Sequence, residues 1–188
     1  MASDQTALPL SVDEYHRLGE LGLLDPDLRV ELLDGEIVEM NAIGSRHAST
    51  VSLLQELLSR KVPTSVIVWT QNPVRLNRFA EPVPDISLLI RRPGHYRDAH
   101  PGPGDMLLVV EVADSSLRLD RERKVPIYAR AEVPEVWLVD LASNLITIYR
   151  DPAAGTYRTI LQARRGDVVS PQALPAVHLE IEAIIPRG

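Results

Sequence analysis

Apolar residues along this chain follow two periods, and the changes between them mark the elements. From Ser45 to Arg60 the positions Ala48, Val51, Leu54, Leu57 and Leu58 recur at steps of three and four. That spacing predicts a helix with one buried face, ending before Pro63. Upstream, Ser11-Val-Asp-Glu14 has the shape of a capping box and predicts a short amphipathic N-terminal helix that Gly19 and Gly22 weaken. Between them, Val30 to Leu33 and Glu36 to Met40 read as two short strands joined by Asp34-Gly35, a strong hairpin signal.

Beyond residue 63 the period shortens. Ser65 to Thr70 and Ile86 to Ile90 are rich in β-branched and aliphatic residues, and Met106 to Val112 is apolar almost throughout. The last predicts a central strand buried on both faces. Arg91 to Gly104, with its prolines, glycines and histidines, reads as a long loop between two core strands, of a length that suggests function. Leu117 to Arg130 predicts a charged helix despite Pro126, and Glu135 to Leu141 another buried strand. Leu145 to Arg150 and Tyr157 to Ala163 predict a C-terminal hairpin across Asp151-Pro-Ala-Ala-Gly155. The order implies a mixed β-sheet core flanked by helices, of the α/β or α+β kind, with hairpins near both ends.

Length and composition narrow the classes. A chain of 188 residues fits one domain, with a core from about residue 10 to 185, and 45% hydrophobic against 24% charged residues is globular rather than disordered. With no cysteine, disulfides, zinc-thiolate sites, iron-sulfur clusters and thiol nucleophiles are excluded, so any metal must be held by oxygen or imidazole. No apolar run approaches the ~18 residues that cross a bilayer, and the first residues lack the features of a secretory signal. A cytoplasmic protein without membrane contact is expected.

The net charge of -6 argues against binding nucleic acid over the whole surface but permits a local basic groove. Within the 20 basic residues only Lys61 and Lys124 are lysines, beside eighteen arginines. A lysine is therefore a rare choice here.

Two acids sit where acids need a reason. Glu111 interrupts the apolar strand between Val110 and Val112, and Asp85 precedes the strand that starts at Ile86. Burying such a carboxylate costs several kcal/mol unless it is paired, bound to metal or open to a cleft at a strand end. Lys124 follows on the next helix, with Asp120 one turn before it and Tyr128 one turn after. An exposed Asp120–Lys124 pair would be worth only ~0.3–0.5 kcal/mol. Two carboxylates and an ammonium are, in contrast, the minimum for metal-dependent phosphodiester hydrolysis: hard oxygens hold Mg2+ or Mn2+, and lysine stabilises the attacking hydroxide.

These residues carry a resemblance. Pro84-Asp85, Glu111-Val112, Ser115, Asp120, Lys124, Tyr128 and Val133-Pro-Glu-Val-Trp-Leu-Val-Asp140, with Glu31-Leu-Leu-Asp-Gly35, Ser45 and His47, resemble the Uma-two family of putative restriction endonucleases in the PD-(D/E)XK nuclease superfamily. The likeness runs from about Leu10 to Ile185. It implies a restriction-endonuclease-like sheet in which Asp85 and Glu111 are the metal-binding acids. The superfamily pattern expects a lysine at position 113, which is Ala113; the resemblance implies that Lys124 supplies the ammonium instead.

Around that centre, Glu31 is a candidate third acid or an edge-strand charge, and His47 a candidate phosphate contact or a structural helical histidine. Tyr128 could orient Lys124 or simply pack on the sheet, and Trp137 belongs to the core. Arg75, Arg78, Arg91, Arg92 and Arg97, with His95 and Tyr96, make the stretch from 75 to 100 net basic and are expected to form a phosphate-binding rim beside Asp85. The leading expectation is a Mg2+-dependent endodeoxyribonuclease with DNA as partner, working as a homodimer that presents two sites. The alternatives are a nuclease-fold protein that binds nucleic acid or a protein without cutting, and a hydrolase of smaller phosphate esters.

Overall fold

In the computed structural model, which describes residues 8–185, the chain opens with α1 (Val12–Glu20), the hairpin of β1 (Val30–Leu33) and β2 (Glu36–Glu39), and α2 (Ser45–Lys61). The capping box forms at α1: Glu14 donates its backbone N–H to Ser11 Oγ at 3.3 Å, and Ser11 N donates to Glu14 Oε2 at 2.8 Å. The tight turn of the hairpin sets Asp34 and Gly35 at φ of 52° and 82°, the paired left-handed geometry that favours this dipeptide. A Cβ on Gly35 would also fall 2.4 Å from that of Pro9, so glycine is required there on two counts.

Six strands then make the main sheet. In spatial order they are β3 (Val66–Thr70), β4 (Ile86–Ile90), β5 (Met106–Ala113), β6 (Glu135–Asp140), β7 (Leu145–Ala153) and β8 (Thr156–Arg164). All neighbours are antiparallel except β5 and β6. A parallel pair needs a crossover, and the helical segment between Ser116 and Ala131 supplies it. Side-chain alternation then sorts β5: Leu108, Val110 and Val112 pack with α2, while Val109 and Ala113 pack with the crossover. Residue 111 shares the second parity.

The crossover departs from the single helix expected over Leu117–Arg130. It divides into α3 (Leu117–Leu119), a π turn (Asp120–Lys124) and α4 (Val125–Arg130). Val125 N bonds to Asp120 O, five residues back. Pro126 is the local reason, since it has no N–H to continue the ordinary ladder and its ring crowds the preceding turn. The C-terminal hairpin also turns later than expected: β7 continues through Pro152, and the reversal falls at Ala154 and Gly155, with φ of 51° and 77°.

Two further elements carried no clear periodic signal. A short pair of β9 (Val168–Val169) and β10 (Leu179–Glu180) leads into α5 (Ile181–Ile184). Ile181, Ile184 and Ile185 join Leu54 and Leu58 of α2 in the same core cluster. Trp137 is fully buried in that cluster, its Nε1 donating to Glu135 Oε1 at 2.7 Å. Among the described residues no helix is long and apolar enough to cross a membrane.

Candidate active site

The site grows from the ends of two adjacent strands. Ile86 pairs with Val110, so one further step of the same register sets Asp85 opposite Glu111 at the edge of the sheet. Val112 N donates to Asp85 Oδ2 at 2.8 Å, which fixes the Asp85 carboxylate against the end of β5. Glu111, by parity, lies on the face that the crossover covers, and it is only 2% exposed.

The crossover answers that buried acid with two donors. Lys124 Nζ lies 2.8 Å from Glu111 Oε1 and 3.3 Å from Glu31 Oε2. The Tyr128 hydroxyl donates to the same Glu111 oxygen at 2.5 Å. Among the described residues Glu111 Oε2 receives no donor. Lys124 is 3% exposed, so its ammonium is an interior cation between two carboxylates and not half of a surface pair with Asp120. Asp120, also buried, instead accepts from Ser116 Oγ at 2.6 Å.

Glu31 arrives from β1, where Val83 N donates to its Oε2 at 2.9 Å. His47 arrives from α2: its Nε2 lies 3.0 Å from Asp85 Oδ1 and 3.1 Å from Oδ2, while Nδ1 is buried without a partner. Asp85, Glu111, Lys124, Glu31, His47 and Asp120 thus all line one pocket. Tyr128 stands behind it, reaching the pocket through Glu111.

The electrostatics follow from four acids sharing one ammonium. Burial raises the Glu111 carboxyl well above its ordinary value, opposed by Lys124 and reinforced by Asp120, Asp85 and Glu31. Asp120 is raised by the same causes in the same order, burial first. Burial works against the charge of Lys124, yet Glu111, Glu31 and Asp120 outweigh it and hold the ammonium more firmly protonated than usual. At Asp85 burial also opposes charge, but hydrogen bonds from His47 and Val112 win and lower the carboxyl. His47 is raised in return, chiefly by its bond to Asp85.

A hard divalent cation fits this donor set. The pocket has an excess of carboxylate over ammonium, its two raised acids are those that added positive charge would relieve, and Glu111 keeps one oxygen clear of the lysine and tyrosine. Asp85 and Glu111 face each other across the strand ends as the natural pair of ligands.

The five arginines expected beside Asp85 are not brought to the pocket. Arg91, Arg92 and Arg97 follow the far end of β4 from Asp85, a separation of roughly 15 Å for five extended residues. Arg92 pairs with Asp105, Arg75 pairs with Asp13 at 2.8 Å, and Arg78 stacks on Phe79 with its guanidinium 5.2 Å from the ring centre. Arg29 lines the pocket mouth instead, exposed just before β1.

Gln71 was also not singled out by the sequence. It adopts a left-handed φ of 49°, and its Nε2 donates to Asp85 Oδ1 at 3.3 Å. Its only sequence signal is its place directly after a strand, before Asn72-Pro73.

A family model described as Uma2, putative restriction endonuclease, matches residues 12–182. No curated protein matches the chain. Among solved structures, the chain is similar to a putative nuclease belonging to DUF820 from Anabaena variabilis ATCC 29413. The TM-score is 0.73 at 17% identity, over 94% of this chain and 97% of that one, and the likeness shows a shared nuclease-like fold.

Proposed function

For a chain that belongs to the Uma2 family of putative restriction endonucleases, we propose a Mg2+-dependent endonuclease that hydrolyses DNA phosphodiester bonds at the Asp85–Glu111–Lys124 pocket. The observation that carries this reading is the buried Lys124 ammonium 2.8 Å from Glu111 at the end of a central strand, in a pocket with three further acids. Ala113 packs in the core beside the crossover, and Lys124 brings its ammonium to Glu111 from the π turn.

Asp85 and Glu111 would hold the cation, with Mn2+ as an equivalent. When bound, it would lower the pKa of a coordinated water and neutralise phosphate charge. Lys124, held protonated, is not the general base; it is a fixed cation placed to stabilise developing negative charge on the attacking oxygen or the phosphate. Tyr128 and Lys124 together orient Glu111 through Oε1 and leave Oε2 for the ion. His47 and Gln71 hold Asp85 in place, and Glu31 sets the position of the ammonium from its other side. Two copies would act on the two strands of a duplex.

The test is nicking of supercoiled plasmid by the purified protein with Mg2+ or Mn2+, beside an EDTA control and the Glu111→Ala variant. Metal-dependent nicking that disappears in the variant is the expected result. Band shifts without nicking would replace this reading with a nuclease fold that binds DNA and does not cut.

A further inference from the structure

A second group of metal-ligating side chains lies outside the carboxylate pocket. His16 on α1, Glu81 between β3 and β4, and His100 between β4 and β5 each place a ligand atom within 4.8 Å of the others. Among the described residues this is the one group of three or more such donors that close together. None of the three lines the pocket that holds Asp85 and Glu111.

We propose that His16, Glu81 and His100 bind one divalent transition-metal ion of the Zn2+ class, which ties helix α1 to the long loop between β4 and β5. Glu81 carries the argument. It is 2% exposed, its Oε1 meets His16 Nε2 at 2.5 Å, and its Oε2 is buried without a partner. An interior carboxylate oxygen with no donor costs free energy that a His16–Glu81 pair alone does not recover. A cation shared by Glu81 and both imidazoles supplies the missing partner. The two rings stand nearly perpendicular, 85° apart with centroids 6.2 Å from each other. Both histidines are exposed at the surface, so an ion can enter and water can complete the coordination.

The backbone holds these ligands in register before any ion arrives. Val12 N donates to Arg78 O at 2.8 Å, which docks the start of α1 on the segment leading to Glu81. Glu81 N donates to Leu32 O at 2.9 Å, and Arg75 N donates to Pro101 O, next to His100, at 2.9 Å. The donor set also chooses the metal: two imidazoles with one carboxylate suit Zn2+ and its neighbours, whereas the all-oxygen pocket suits Mg2+. The two sites are therefore chemically orthogonal, and this one does not depend on nuclease activity.

The experiment is titration of the chelator-treated full-length protein with ZnCl2 in the presence of excess Mg2+, followed by calorimetry and thermal melting. One equivalent of Zn2+ should bind, and Tm should rise by roughly 5–10 °C at a free Zn2+ concentration a hundredfold above Kd. His100→Ala and His16→Ala should each weaken binding by about a hundredfold or more, while Asp85→Asn should leave it intact. Zn2+ that fails to bind, or that binds both histidine variants as it binds the parent protein, overturns the proposal. Loss of Zn2+ binding in Asp85→Asn alone also overturns it, by assigning the ion to the carboxylate pocket. A protein that does not nick plasmid but still takes up Zn2+ through His100 leaves this proposal standing.

Discussion

Tyr128 donates its hydroxyl hydrogen to the same oxygen of Glu111 that Lys124 approaches, at 2.5 Å and 2.8 Å respectively. A fully buried phenol whose one polar atom is used on a candidate metal ligand acts through that ligand. Tyr128→Phe removes the donor and little volume. It should lower stability by about 1.5–3 kcal/mol, the usual worth of a hydrogen bond to a charged group. Metal-dependent nicking should fall by about tenfold with a weaker response to Mg2+, read from urea unfolding in EDTA and from nicking rates across a Mg2+ series. Unchanged Mg2+ dependence would reduce Tyr128 to packing.

Lys124→Ala leaves Glu111 and Glu31 without their common cation inside the protein. Breaking a buried ion pair by deleting one partner costs about 3–5 kcal/mol, so this variant should unfold at clearly lower denaturant than the parent. The mechanism is better tested with Lys124→Met, which keeps the side-chain volume. Its nicking rate should fall by about a hundredfold to a thousandfold, as for loss of one preorganised charge-stabilising group, with a circular dichroism spectrum like that of the parent. Parental cleavage by that variant would remove Lys124 from the mechanism.

The position of the arginines predicts an asymmetry in DNA binding. Arg29 stands exposed at the pocket mouth, and Arg97 lies in the loop at the opposite end of β4. Arg29→Ala should weaken binding to duplex DNA and reduce the slope of log affinity against log salt by about 1. Arg97→Ala should change neither, and fluorescence anisotropy at several salt concentrations measures both.

The capping box gives a pH dependence of known sign. Glu14 is held below its ordinary pKa of 4.5 by hydrogen bonds from the Ser11 hydroxyl and backbone. A lowered carboxyl stabilises the fold above its unfolded pKa and loses that contribution as pH falls through the lower folded value. Ser11→Ala should reduce Tm by roughly 2–4 °C at pH 7, with the difference shrinking as pH falls below about 4. Melts from pH 3 to 7 would show it.

Much of this arrangement was legible before any coordinates. Asp34-Gly35 specified its turn because few residues tolerate two consecutive left-handed conformations, and the uninterrupted apolar run around Glu111 marked a strand covered on both faces. The scarcity of lysine singled out Lys124, and its buried position between two carboxylates shows what an arginine fork would have had to displace. The arginine rim failed for a geometric reason: closeness in sequence to Asp85 becomes distance when the intervening residues are an extended strand. Arg29 and Gln71 were missed because their roles come from where the β1 hairpin and the β3 terminus are carried in space. The β9 and β10 pair, at two residues each, is too short to impose a period.

The widened turn at Asp120–Lys124 separates two demands that an ordinary helix would satisfy together. A chain shorter by one residue there could close a regular α-helical ladder, yet everything from Val125 onward would swing by about 100° around the axis. Tyr128 would then point away from the acid it now contacts while Lys124 remained near it. The segment therefore trades local regularity for aim: its surplus residue sets the relative azimuth of a phenol and an ammonium so that both converge on a single carboxylate oxygen.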